Sequence, residues 1–401
     1  MPIPPILDVF VVWHPDDPSG AIRFEELQKY FHGPAFAGLV GGAVEVYARS
    51  TPWTASGAPR PLGITKALMD GLPSAQFNAV VPVLSLELAE AARDEPWATY
   101  LREIAELKQA PEVGIFSIPA EGVDLANGAL APSLGDLQTL PKGVLSSPSV
   151  LGRELSQAIT QSVLRAADEP ERVKVFISHS KHLSLAEDDD SPAVYESVRK
   201  AISSSHLSEF FDAHDIQSGS TWAKELEFQA ARDALLIVRT DRYAEREWTQ
   251  REVLVAKQAE VPVVTMYALK SGEERGSFLM DHVPSVVCDL DNRDTGINEA
   301  LNALVAEVLK ATLWRFQRVY IEAEGFDWLP AHSPEPVTLV GWLANHKVAD
   351  PNDQHIWIMH PDPPLGSAER EVLIEMLDLS GYSADVNIYT PRTFAQRGGS
   401  K

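Results

Sequence analysis

The sequence predicts an α/β chain of parallel sheets with helices on their faces. Three observations predict it. Short apolar runs of strand length alternate with helical patterns from one end to the other, the pattern of strand–helix–strand units. Three segments also repeat one motif. Residues 8–13 (DVFVVW) run into His14-Pro15-Asp16-Asp17, residues 173–178 (VKVFIS) into His179-Ser180, and residues 355–359 (HIWIM) into His360-Pro361-Asp362. Finally, the 401 residues are 45% hydrophobic and 23% charged, an ordinary globular balance. At about 150 residues per domain the length fits two or three domains, each able to bury its own core.

The elements follow in order. Residues 8–13 form the first strand, 24–31 a helix, 43–48 and 78–84 strands, the region of Trp97 a helix and 113–118 a strand. Residues 120–149 are rich in Pro, Gly and Ser with weak periodicity and read as a linker. After the strand at 173–178 come a helix at 193–205, a strand at 209–212, a helix at 221–232, a strand at 234–239, a helix at 247–258 and a strand at 261–268. A closing amphipathic helix spans 294–313. The tail holds a strand at 355–359, a helix at 368–379 and a strand at 385–389. The expected division is an α/β domain at 1–120, a linker and connecting helix at 121–170, a central domain at 171–315 and a strand–helix–strand unit at 316–401.

Charge and composition exclude several classes. There are 34 Lys and Arg against 57 Asp and Glu, a net charge of −23. Nucleic-acid binders need a basic face, so no nucleic-acid partner is expected. No window approaches the roughly 18 apolar residues of a membrane span, and the first residues lack the basic stretch of a secretory signal. Cys288 is the only cysteine, so no intrachain disulfide forms. A cytoplasmic setting is expected. There is no phosphate-binding G-x-x-x-x-G-K-[ST] loop and no G-x-S-x-G elbow. Each His-Pro-Asp supplies too few ligands for a metal, and reads as a turn.

Four blocks in the centre carry the chemistry: Val175-Phe176-Ile177-Ser178-His179-Ser180; Phe210-Phe211-Asp212 with Asp215-Ile216 and Gly219; Leu235-Leu236-Ile237-Val238; and residues 243–252 (YAEREWTQRE) followed by Pro262-Val263-Val264. In this order and spacing, they resemble a bacterial TIR (Toll/interleukin-1 receptor) domain. The resemblance covers about a third of the chain. It implies a flavodoxin-like parallel sheet whose ligand lies outside the carboxyl ends of the strands. It also implies NAD+ as a substrate rather than a cofactor, with the nicotinamide–ribose bond cleaved, self-association through the TIR domain and a role in bacterial defence signalling. Glu252 matches the family's catalytic glutamate. Trp248, one helical turn before it, would stack on the nucleotide. Ser178, His179 and Ser180 after the first strand, and Asp212 and Gly219 of the following loop, would contact the nucleotide or gate its site.

The residues by themselves leave alternatives open. Spacing alone fits a solvated Glu252 and a core Trp248, and Trp222 reads as core. The acidic run at 187–190 reads as a solvated loop, and residues 239–242 (RTDR) could meet a phosphate or form a surface turn. His179 is followed by neither an aromatic residue nor an arginine, which favours a non-enzymatic TIR interaction module; the Trp248/Glu252 pair favours the enzyme. The amino-terminal unit offers a comparison: Trp97 occupies the tryptophan position, but Leu101 stands where the glutamate would be. That unit is expected to be a divergent TIR-like domain without catalysis.

Overall fold

In the computed structural model, residues 5–36, 43–53, 57–64, 75–123, 125, 127–180, 190–215, 233–273, 276–280, 282–346, 355–382, 385–399 and 401 are described. Two compact units divide the chain, Pro2–Glu171 and Arg172–Lys401, the latter with Met1.

The first unit contains β1 (Leu7–Val12), α1 (Pro18–Phe31), β2 (Val44–Arg49), β3 (Phe77–Pro82), α2 (Leu86–Ala91), α3 (Glu95–Glu106), β4 (Val113–Ser117), α4 (Ala131–Leu134), β5 (Gln138–Thr139) and α5 (Pro148–Ala166). Its sheet is parallel in the order β2-β1-β3-β4-β5. β1 and β3 are buried at every position, Asp8 and Asn78 included, so their largely apolar runs show no alternation. Asp17 starts α1: its carboxylate accepts from the Ser19 backbone N–H at 2.9 Å and the Ser19 hydroxyl at 2.7 Å. The first His-Pro-Asp segment is thus a helix-capping turn. The segment at 120–149 is not a linker. It supplies the fifth strand, and Leu130, Leu134, Leu140 and Val144 are buried. Its elements are two to five residues long, too short to show a period.

The second unit contains β6 (Val173–His179), α6 (Ser191–Ser203), α7 (Leu207–Phe210), β7 (Phe211–Asp215), β8 (Asp233–Arg239), α8 (Glu247–Gln258), β9 (Val263–Tyr267), β10 (Ser285–Val287) and α9 (Arg293–Glu322). Then follow α10 (Pro336–Asn345), β11 (Ile356–Met359), α11 (Ser367–Leu379), β12 (Val386–Tyr389) and α12 (Pro391–Gln396). Its larger sheet runs β7-β6-β8-β9-β10, again all parallel, the same order as the first sheet. This is the flavodoxin-like arrangement, with its switch point between β6 and β8.

Several expected boundaries move. The strand expected at 209–212 begins at Phe211, because Ser205 accepts from the Leu207 and Ser208 backbone N–H groups and starts α7 first. The closing helix does not stop at residue 313: Trp314, Gln317 and Ile321 continue its buried face to Glu322. The expected boundary at residue 316 therefore falls inside α9. β11 and β12 pair in parallel around α11, as the tail's pattern predicts. The helix expected at 221–232, Trp222 within it and Gly219 lie outside the described residues.

Candidate active site

The carboxyl ends of β6 and β8 carry the candidate site. β8 (DALLIVR) is buried throughout and delivers the chain to a short turn at Tyr243–Glu245, from which α8 departs. Side chains lock this turn to the helix. Thr249 donates to the Tyr243 carbonyl at 2.6 Å and to the Arg246 carbonyl at 2.8 Å, and Gln250 donates to the Ala244 carbonyl at 2.7 Å. On α8 the residues Thr249, Val253, Ala256 and Lys257 form the buried face. Trp248, Glu252, Val255 and Ala259 form a half-buried stripe beside it. Beneath lie Phe176, Leu235, Ile237 and Val263.

The stripe brings Glu252 to β6. The Ser178 hydroxyl, at the last turn of the strand's buried run, donates to Glu252 Oε2 at 2.6 Å. Tyr243 also hydrogen-bonds Ser178 Oγ. Ser178 has a single proton and gives it to the carboxylate, so the phenol must be the donor in that second bond. Tyr243 is fully buried and Ser178 is 1% exposed. Burial, and then the Glu252 carboxylate, push the Tyr243 phenol well above its ordinary range; the Ser178 bond and Arg239 pull the other way. The phenol therefore keeps its proton. Tyr243 carries no assigned role in the sequence reading, although it opens the quoted block. Its signal was only that of a tyrosine just past a buried strand.

The remaining sequence candidates are placed differently. His179 and Ser180 end β6 and are buried. The His179 ring stacks on Tyr195 of α6 with centroids 4.3 Å apart, and its Nδ1 lies 3.4 Å from Ser191 Oγ. Trp248 is half-buried, with the Arg246 guanidinium 5.5 Å from its ring centroid. Asp212 is not brought to Glu252 by the backbone. It pairs with Lys174, four strand residues before Ser178, or about 13 Å away along the strand. The β7 residue level with the site is Asp215, the partner of Ile177. The run at 187–189 lies outside the described residues; Asp190 meets Arg293 at 3.5 Å.

The turn at 239–242 is structural. Arg239 forms a two-pronged ion pair with Glu273, at 2.7 and 2.6 Å. Asp241 accepts the backbone N–H groups of Lys270, Ser271 and Gly272. Gly272 has φ +96°, a conformation that glycine adopts without strain. Pro361 and Asp362 of the third His-Pro-Asp border a cavity of about 380 Å³, lined also by Lys310, His332 and Glu369 and sharing no residue with the Ser178–Tyr243–Glu252 cluster. Among the described residues no group of three or more His, Cys, Asp and Glu is placed to hold a metal. No helix among them is long and apolar enough to cross a membrane. In the first unit, Trp97 and Leu101 of α3 are both core, Leu101 at 0% exposure.

No curated protein matches the chain. Residues 175–297 match the family model for the TIR domain, and this interval contains β6 from Val175 on, β7 to β10 and every residue of the cluster.

Proposed function

From the premise that residues 175–297 are a TIR domain, we propose that the chain is an NAD+ nucleosidase and that Glu252 is its catalytic carboxylate. The observation that carries this reading is the 2.6 Å bond that fixes Glu252 at the β6/β8 switch point, where open parallel sheets take their ligands. Breaking an N-glycosidic bond develops positive charge on the ribose, and a carboxylate beside the ring stabilises that charge as it forms. Nicotinamide is cationic in NAD+ and leaves neutral, so one carboxylate suffices without a general acid. Water or a hydroxyl of the same nucleotide then takes the ribosyl position, giving ADP-ribose or a cyclic form. Trp248 offers a flat face to the nucleotide. Self-association through the TIR domain, with activation by assembly in bacterial defence, completes the proposal, together with a cytoplasmic setting.

The test is NAD+ consumption by the purified full chain, with nicotinamide release followed by chromatography, at high protein concentration and with a crowding agent. Cleavage by the unsubstituted chain and its loss in Glu252→Ala is the expected result. Cleavage in both moves the chemistry away from Glu252. The second reading is a non-enzymatic TIR interaction module. It is favoured by the His179 ring, which stacks on Tyr195. Absence of cleavage in both proteins, at every concentration, selects it.

A further inference from the structure

Glu252 meets a chain of hydroxyls whose direction is fixed. We propose that Tyr243 and Ser178 are positioning residues that orient the Glu252 carboxylate and hold it as the acceptor end of that chain. The inference rests on the reading of Glu252 as the reacting carboxylate.

Ser178 Oγ lies between two partners, Tyr243 Oη and Glu252 Oε2. A serine hydroxyl donates once and accepts up to twice. With Glu252 ionised, every hydrogen is used: Tyr243 donates to Ser178 and Ser178 donates to the carboxylate. Reversing the chain puts a proton on Oε2 and turns the Ser178 hydrogen toward Tyr243. The phenol hydrogen then has no acceptor among the described residues, because Ser178 is the one partner of Tyr243 Oη there. Tyr243 is 0% exposed, so water does not replace it. A buried, unsatisfied O–H is costly. The sealed phenol thus biases the chain toward the ionised carboxylate, and the short Ser178 bond sets that group's rotation.

The surroundings agree. Three of the titratable and charged groups on the described elements packed against α8 have partners of their own. His179 on β6 turns to Tyr195. Arg239 at the end of β8 is paired with Glu273. Glu335 before α10 is paired with Lys257. The hydroxyl chain is one local device that orients Glu252.

Two measurements on the full chain test this. The first is steady-state NAD+ cleavage. Tyr243→Phe and Ser178→Ala are expected to lower kcat about tenfold, the rate equivalent of one net hydrogen bond, with KM within about twofold. Ser178→Thr keeps a hydroxyl and is expected to restore most of kcat. The second needs no activity: a thermal double-mutant cycle of Tyr243→Phe with Glu252→Gln. These two side chains are joined through Ser178, so non-additivity of about 2 °C or more in Tm is expected, and additivity in a Ser178→Ala background. Additivity in the unsubstituted background overturns the chain itself and leaves the enzyme reading standing. Unchanged kcat in Tyr243→Phe, or a change confined to KM, overturns the positioning role. No cleavage by the unsubstituted chain overturns the enzyme reading and the catalytic role with it.

Discussion

Removing the Glu335 carboxylate tests how the helix that carries Glu252 is held. Lys257, five residues after Glu252 on α8, meets Glu335 at 2.9 Å, and the two side chains are only 5% and 8% exposed. A pair this dry is expensive to break from one side, because the surviving charge stays buried without its counter-charge. The expected loss in Glu335→Ala is about 3–5 kcal/mol. That is a large part of the roughly 5–15 kcal/mol that holds a typical domain folded. Replacing both partners with apolar groups, Lys257→Met with Glu335→Leu, removes the charge together with the pair and is expected to recover most of the loss. Because the chain has two compact units, hydrogen exchange of α8 peptides under increasing urea reports this unit more directly than a whole-chain signal. A loss below about 1 kcal/mol in the single variant, or a double variant no better than the single, refutes the reasoning.

Other expectations concern both units. Burial, then Glu45, raises the Asp8 carboxyl from 3.8 to about 6. Its folded form holds the proton more tightly, so stability present below pH 3.8 is lost as pH rises through about 6. Asp8→Asn should therefore gain up to about 3 kcal/mol at pH 7 and nothing at pH 3.5, read by urea unfolding at both. Burial lowers His360 to about 4. There the unfolded chain binds the proton first, and stability falls by about 3 kcal/mol from pH 6.5 to 4. His360→Gln should flatten that slope in an acid titration followed by circular dichroism. A methyl group at Gly152 would sit 2.5 Å from the Tyr30 ring. Gly152→Ala should cost about 1–3 kcal/mol, seen as a lower Tm.

Much of this fold was legible because buried parallel strands are near-continuous apolar runs. DVFVVW, VKVFIS and ALLIVR announce themselves without any partner. Helix α8 was legible to the residue, since YAEREWTQRE couples a turn to a helical period. The elements around β5 were not, because four-residue helices and two-residue strands carry no period. At the site, the Trp248–Glu252 spacing placed both residues on one helical stripe. It could not say that Ser178 bonds Glu252 or that Tyr243 lies behind it, because those contacts join residues 65 and 74 positions apart. The height of Asp212 was not legible either: a motif fixes order along the chain, whereas parallel register decides height on the sheet, and it sets Asp215 beside Ile177.

The shared sheet order also sets how the chain folds. Both five-stranded sheets are parallel throughout, so none of their strands zips to its neighbour through a short hairpin. Leu7 must find Phe77, and Lys174 must find Asp233, before either central pairing exists. Closing such long loops precedes the contacts that reward it, which makes parallel sheets slow to form. On the ribosome the first sheet is complete once Thr139 has emerged, while the second awaits Val287. Within that interval β6 lacks β8 until Arg239 has emerged, and β8 lacks β9 until Tyr267 has. Chaperone demand during synthesis should therefore concentrate on the interval between Thr139 and Val287, and a slowed ribosome there should lengthen the exposure.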